Sequence, residues 1–168
     1  MSAEAIRQRL DALGARFIYA SVALAAVGLV AAALFMQHVV GLNPCPLCIF
    51  QRIAYLLLAA AAALAAWRAP RPAGRVFGAV ALLFALGGAG VAAWHVRLQG
   101  APESLSCGPG LGVMLENFPL TQVLPKVFRG SGDCADAGMV IMGLSLAGWS
   151  LVGFLALALV AIAALARR

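Results

Sequence analysis

Residues 45–67 read CPLCIFQRIAYLLLAAAAALAAW, and this stretch decides the fold. Its uninterrupted apolar run, residues 53–67, is 15 residues long. At about 1.5 Å per residue such a helix covers roughly 22 Å, less than the roughly 30 Å of hydrocarbon in a bilayer. We therefore predict a spanning helix that begins near residues 48–49. This start puts Gln51 and Arg52 one turn inside the membrane edge.

The composition also indicates a membrane protein. Of the 168 residues, 64% are hydrophobic and 11% are charged, and the mean hydropathy is +0.98. A soluble domain of this length needs a larger polar surface. The net charge of +6 would raise the question of nucleic acid in a soluble protein. Because the arginines cluster at predicted membrane edges, we expect lipid as the surroundings and no nucleic-acid partner.

We predict one integral membrane domain, residues 1–168, with an all-α fold that is a bundle of four transmembrane helices. The predicted spans are residues 17–40, 49–67, 76–96 and 144–165, and the two loops on the non-cytoplasmic side are residues 41–48 and 97–143. Within the second loop, residues 120–128 have apolar side chains at helical spacing. This segment is predicted to be short, amphipathic and close to the membrane surface.

The distribution of lysine and arginine predicts the orientation, since cytoplasmic segments carry an excess of both. Three regions on one side of the predicted bundle hold eight of the twelve basic residues, namely Arg7, Arg9, Arg16, Arg68, Arg71, Arg75, Arg167 and Arg168. The first loop on the opposite side has no charge. Both chain ends are therefore predicted to be cytoplasmic, which in a bacterium makes the opposite side the periplasm.

The chain has four cysteines, which fall in the two non-cytoplasmic loops. Cys45 and Cys48 lie between spans one and two, and Cys107 and Cys134 lie between spans three and four. Two crossings separate these loops, so all four thiols face the same side. Disulfides persist in that compartment.

The first pair has the spacing of a redox site. Two residues between cysteines give a small ring that opens and closes easily. Cys48 lies where the second span begins, and a helix N-terminus stabilises a thiolate. Arg52, one turn later, adds a positive charge on the same face. The second pair, Cys107 and Cys134, closes a long loop whose glycine-rich ends an external protein can reach.

Two other interpretations of the cysteines remain open at this point. In the first, the four cysteines together bind one zinc ion. Structural zinc sites usually combine two closely spaced ligand pairs, whereas Cys107 and Cys134 are far apart in the sequence. Alternatively, both pairs would be inert disulfides of a non-catalytic four-span scaffold, although a two-residue spacing closes too short a loop to stabilise much.

Three ionisable residues near the non-cytoplasmic side complete the set of site residues. An ionisable residue inside a span costs about 2.5 kcal/mol or more, so Arg52 indicates a functional site, the alternative being a side chain that extends to the interface. We expect Arg52 to polarise a carbonyl oxygen of a lipid-soluble acceptor. His95, near the end of span three, would donate a hydrogen bond or a proton to that acceptor, or lie at the interface without a role. His38, at the same end of span one, is a weaker candidate for the site.

Four glycines of the third span are expected to let neighbouring helices approach closely. They are Gly78, Gly87, Gly88 and Gly90.

The motif at residues 45–52, preceded by Gln37-His38-Val39, resembles the first periplasmic loop of the disulfide bond formation protein B (DsbB) family. Residues 130–135, which read GSGDCA, resemble the family's second loop. The resemblance covers nearly the whole chain, including four spans, cytoplasmic ends and the spacing of both cysteine pairs.

This resemblance implies an enzyme that reoxidises a soluble periplasmic thiol oxidase of thioredoxin fold (DsbA). The partner's thiolate would attack the loop disulfide and form a mixed disulfide, expected at Cys107. The pair Cys45–Cys48 would then reoxidise the loop cysteines Cys107 and Cys134. The electrons would pass to ubiquinone, or to menaquinone without oxygen.

Individual residues also match the family's motif. Cys48 matches the cysteine that forms the charge-transfer adduct with the quinone, and Arg52 matches the arginine beside it. His95 lies where the family has a histidine near the quinone ring. Members often carry glutamate where this chain has Gln51, so the role of a carboxylate there does not transfer.

Overall fold

The computed structural model describes residues 3–69, 71–100 and 139–166, with side chains from residue 13 onwards. Cys107, Cys134 and the amphipathic segment at residues 120–128 lie outside the described residues. The elements, in chain order, are α1 (Ala3–His38), α2 (Pro46–Arg68), α3 (Pro72–Gln99), β1 (Val140–Ile141), β2 (Leu144–Ser145) and α4 (Leu146–Ala166).

Among the described residues, four helical segments are long and apolar enough to cross a membrane. They are Leu13–His38, Pro46–Arg68, Pro72–Gln99 and Leu146–Ala166, with mean hydropathies between 1.9 and 2.4. Helix α2 packs against α1 and α3, and α3 also packs against α4. The predicted fold class, a four-helix membrane bundle, is confirmed.

Helix α2 begins at Pro46, about three residues before the start expected from hydrophobicity. Cys45 is the N-cap: its backbone is extended, and its Sγ accepts the Cys48 backbone N–H at 3.3 Å. Pro46 suits the first helical position because it has no N–H to leave unpaired there. The N-cap therefore fixes the start of α2, and both cysteines are held by the first turn of this helix.

Small residues allow α3 to pack closely against its neighbours. A Cβ added to Gly78 would overlap the Tyr19 ring, and one added to Gly88 would overlap the Phe154 ring. The prediction of close packing is wrong for Gly87 and Gly90, since among the described residues no atom lies within 4 Å of a Cβ added at either position. One face of a helix meets a given neighbour only every three or four residues.

A two-residue hairpin precedes α4 and was not predicted. Strands β1 and β2 are antiparallel, with Val140 opposite Ser145. Met142 and Gly143 connect them with φ values of 54° and 82°, as in the tight turns that match strand twist. The indole of Trp149 in α4 donates a hydrogen bond to the Ile141 carbonyl at 3.0 Å. The hairpin is therefore attached to the start of α4.

Candidate active site

The cysteine pair at the start of α2 is partly enclosed by protein. Cys45 is 3% exposed and packs with Leu47 and Leu98, whereas Cys48 is half-buried. Both are free thiols, and the two Sγ atoms lie 2.9 Å apart. The hydrogen bond to Cys48, followed by burial, raises the pKa of the Cys45 thiol. Cys48 is therefore the better position for a thiolate, because the helix N-terminus stabilises negative charge there.

His95 of α3 faces this pair. Its side chain is 2% exposed, and its Nε2 lies 3.5 Å from the Cys45 Sγ. Its Nδ1 lies 3.1 Å from the amide nitrogen of Gln51, one turn into α2. Gln99, one turn further along α3, brings its amide nitrogen to 3.5 Å from the same Nε2. His95 thus lies beside the first turns of α2, and one of its immediate neighbours there is a cysteine sulfur.

Arg52 is directed across the bundle towards α1. Its Nη1 donates to the side-chain oxygen of Gln37, and its Nη2 donates to the Ala33 carbonyl at 3.3 Å. The side chain is only 6% exposed. The guanidinium is therefore bound between α1 and α2 and not exposed at the surface of the bundle. Hydrogen bonds to charged groups of this kind offset the cost of burying a cation.

The site also contains two amide side chains to which the sequence analysis gave no role. Gln37 lies in the last turn of α1 and binds Arg52. Gln99 lies beside His95 and accepts a 2.6 Å hydrogen bond from the Ser145 hydroxyl of β2. Each is a polar residue near the end of an apolar span, which is the signal that was available.

These residues surround a cavity of about 410 Å³ among the four helices and the hairpin. Ligand pockets typically have volumes of about 300–1,000 Å³. Its polar lining is Gln37, Asn43, Cys45, Cys48, Gln51, Arg52, His95, Gln99 and Ser150, and apolar side chains such as Leu29, Met36 and Trp149 form much of the rest. The site brings together Cys45, Cys48, Arg52 and His95. Within the described part of the chain, His38 is not among the residues that line this cavity.

Comparisons with known proteins identify the family of this chain. Residues 15–164 match the family model described as Disulfide bond formation protein DsbB. Disulfide bond formation protein B of Aromatoleum aromaticum is 42% identical over 159 residues, covering 94% of this chain and 96% of that protein. The protein of the same name from an Azoarcus species is 50% identical over 121 residues, covering 71% of this chain and 73% of the relative.

A third relative of the same name, from Verminephrobacter eiseniae, is 44% identical over 153 residues, covering 90% of this chain and 86% of the relative. These matches favour a disulfide-generating oxidoreductase over the non-catalytic scaffold. With four membrane-spanning helices, the chain is a multi-pass membrane protein. It belongs to the DsbB family and is a disulfide-generating membrane oxidoreductase.

Proposed function

We propose that this protein reoxidises a periplasmic DsbA-type dithiol oxidase and passes the two electrons to a membrane quinone. The electron acceptor is ubiquinone, or menaquinone without oxygen. The enzyme lies in the bacterial inner membrane with both chain ends cytoplasmic and the four cysteines periplasmic. The arginine distribution supports this orientation, because eight of twelve basic residues belong to the predicted cytoplasmic segments.

One observation carries the quinone proposal: a thiol pair and a buried arginine line the same apolar cavity. A quinone head group is flat and apolar, with two carbonyl oxygens that accept hydrogen bonds. The apolar wall of the cavity suits the ring, and the guanidinium of Arg52 suits a carbonyl oxygen. The residues present therefore fit such a group, since ligand sites combine an apolar lining with a few polar groups that fix orientation.

Each residue of the site has a definite task in this proposal. Cys45 and Cys48 both line the cavity, and Cys48 is the more exposed of the two. The charge of Arg52 stabilises a thiolate at Cys48 and holds a bound acceptor. His95 can accept the Cys45 proton at Nε2, which lies 3.5 Å from that sulfur. When bound, a quinone supplies a two-electron acceptor that also takes up two protons.

The proposed electron path begins at the second loop. The partner's dithiol reduces the Cys107–Cys134 disulfide through a mixed disulfide at Cys107, and the partner leaves as a disulfide. The resulting loop dithiol then reduces the Cys45–Cys48 disulfide by the same exchange. Each exchange transfers two electrons and two protons, so one disulfide forms for each one that breaks.

The test is a reconstituted assay with purified protein, reduced DsbA-type partner and a soluble ubiquinone analogue, in which quinone absorbance reports reduction. We expect turnover by the wild type, none by Cys48→Ser, and a raised quinone KM in Arg52→Ala. His38→Ala is the matched control and should behave as the wild type. Absence of quinone reduction by the wild type, with partner and quinone both known to be competent, would contradict the proposal.

A further inference from the structure

We propose that the reduced Cys45–Cys48 pair and His95 together form a binding site for one Zn²⁺ ion, which holds the pair in its dithiolate form. The ion would take three protein ligands, two sulfurs and one imidazole nitrogen. This set is that of catalytic zinc sites with two cysteines and one histidine, in which a fourth position stays open for water. The site differs from a cluster of all four cysteines, because it uses a histidine of α3 and neither loop cysteine.

The three ligand atoms are already close to the required spacing. The two Sγ atoms and an imidazole nitrogen of His95 all lie within 4.8 Å of one another. With Zn–S of about 2.3 Å and Zn–N of about 2.0–2.1 Å, tetrahedral geometry needs roughly 3.8 Å between sulfurs and roughly 3.5 Å between sulfur and nitrogen. The Cys45 Sγ lies 3.5 Å from Nε2, and the sulfurs lie 2.9 Å apart. The geometry needs the sulfurs to separate by about 1 Å and the Cys48 Sγ, which lies within 4.8 Å of the imidazole nitrogen, to stand roughly 3.5 Å from it. Cys48 is half-buried and borders the cavity, so its side chain has room to rotate.

Gln51 supports the histidine as a ligand. A metal-bound imidazole usually donates its second N–H to a hydrogen-bond acceptor, which fixes the ring. The Gln51 amide lies 3.1 Å from Nδ1 and is 5% exposed. Rotation of the amide by 180° exchanges its oxygen and nitrogen. Gln51 can therefore accept from Nδ1–H, which directs the Nε2 lone pair of His95 towards the sulfurs.

The charge balance also favours the ion. Binding releases two thiol protons, so two thiolates and one Zn²⁺ form a unit with no net charge. Such a unit is not repelled by the nearby guanidinium of Arg52. The cavity beside Cys48 gives the ion a route to the ligands and room for a water at the fourth position.

The site exists only while the cysteines are reduced, because sulfurs joined in a disulfide are not thiolate ligands. Zinc binding and disulfide formation therefore exclude each other. Given the proposed function, the bound ion would inhibit turnover by keeping Cys45 and Cys48 out of thiol exchange. Metal binding itself does not depend on that function, so the two proposals can fail separately.

The experiment measures metal bound to the purified full-length protein. Cys107→Ser and Cys134→Ser are introduced so that only Cys45 and Cys48 can contribute thiols. The protein is reduced, freed of reductant without oxygen, equilibrated with Zn²⁺, and analysed for zinc content. Cd²⁺ serves as a second probe, since its thiolate complexes absorb in the ultraviolet. We expect one ion per reduced protein and none after oxidation to the disulfide.

His95→Ala tests the third ligand, with His38→Ala as the matched control. We expect the affinity for Zn²⁺ to fall at least tenfold in His95→Ala and to stay unchanged in His38→Ala. Equal binding by reduced and oxidised protein, absence of binding by the reduced protein, or full affinity in His95→Ala would each overturn the proposal. The oxidised and reduced forms are the same polypeptide, so that comparison does not depend on a variant folding correctly.

Discussion

The middle of the bundle and the first turns of α2 are packed in different ways. In the middle, α2, α3 and α4 meet through small side chains, and the buried set includes Ala61, Ala62, Ala81, Ala85 and Phe154. At the start of α2, the buried set includes Gln51, Arg52 and His95. Among the described side chains, no buried nitrogen or oxygen atom lacks a hydrogen-bond partner.

The two regions therefore contribute differently, the middle of the bundle to stability and the start of α2 to chemistry. Close packing of small residues is what holds helices together in lipid, where apolar burial adds little. Buried polar groups cost free energy there unless they are bonded, so a polar cluster indicates function. We therefore expect substitutions in the middle to change stability and substitutions at the start of α2 to change turnover.

The largest expected effect is that of Cys48→Ser. The hydroxyl cannot form a disulfide, so turnover with partner and quinone should fall to the rate without protein. The side chain is nearly the same size, so Tm in detergent should match that of the wild type. Thermal unfolding and the quinone assay on the same sample check both parts. A large fall in Tm would mean that Cys48 also supports the fold.

Gly88→Ala should have the next largest effect, which is a loss of stability. The added Cβ would overlap the Phe154 ring, and overpacking of this kind costs about 1–3 kcal/mol. Gly87→Ala is the matched control, since no atom of the described part of the chain lies within 4 Å of its added Cβ. Tm should fall only in Gly88→Ala, while quinone turnover per folded molecule stays near that of the wild type. Equal Tm values for the two variants would contradict the described packing.

Arg52→Lys tests whether the acceptor site needs the position of the Arg52 charge as well as the charge itself. A lysine has no planar fork to bond both Gln37 and the Ala33 carbonyl, so the charge remains but its position is lost. We expect the quinone KM to rise about tenfold, or roughly 1.4 kcal/mol, and to rise further in Arg52→Ala. A KM unchanged in both variants would remove Arg52 from the acceptor site.

Tyr55→Phe is expected to have the smallest effect. Its hydroxyl donates to the Ser150 carbonyl of α4 at 2.9 Å, and its ring stacks on Phe154 at 3.8 Å. The substitution keeps the ring and removes one hydrogen bond between helices, which in membrane proteins averages about 0.6 kcal/mol. Tm should therefore fall slightly. A loss as large as that of Gly88→Ala would mean that a polar contact between helices contributes as much to stability as close packing does.

The sequence was sufficient to predict the four helices and much of the site, because long apolar runs and a CxxC followed by arginine are local signals. It did not predict that His95 would approach Cys45, fifty residues away in the chain. Helical spacing gives the depth of a residue in the membrane, but the rotation of α3 depends on its packing against α2. The same limit explains why, within the described ranges, Gly88 faces a neighbouring helix and Gly87 does not.

The hairpin before α4 illustrates a second limit. Its turn has Met142 at φ 54°, a conformation that a long side chain rarely adopts and that gives no signal in the sequence. Ser145 of β2 contacts Gln99 of α3, which is distant in sequence, and Trp149 of α4 contacts the carbonyl of Ile141 in the adjacent strand β1. Such tertiary contacts, rather than local preference, account for this turn.

A single-turnover reaction tests the central claim most directly, that the Cys45–Cys48 pair delivers electrons to a quinone in the adjoining cavity. Protein with Cys107→Ser and Cys134→Ser is reduced, freed of reductant, and mixed with a ubiquinone analogue, without any partner. We expect one quinone reduced per protein, with the Cys45–Cys48 disulfide found by mass spectrometry. Retention of both thiols and of the oxidised quinone would contradict the claim.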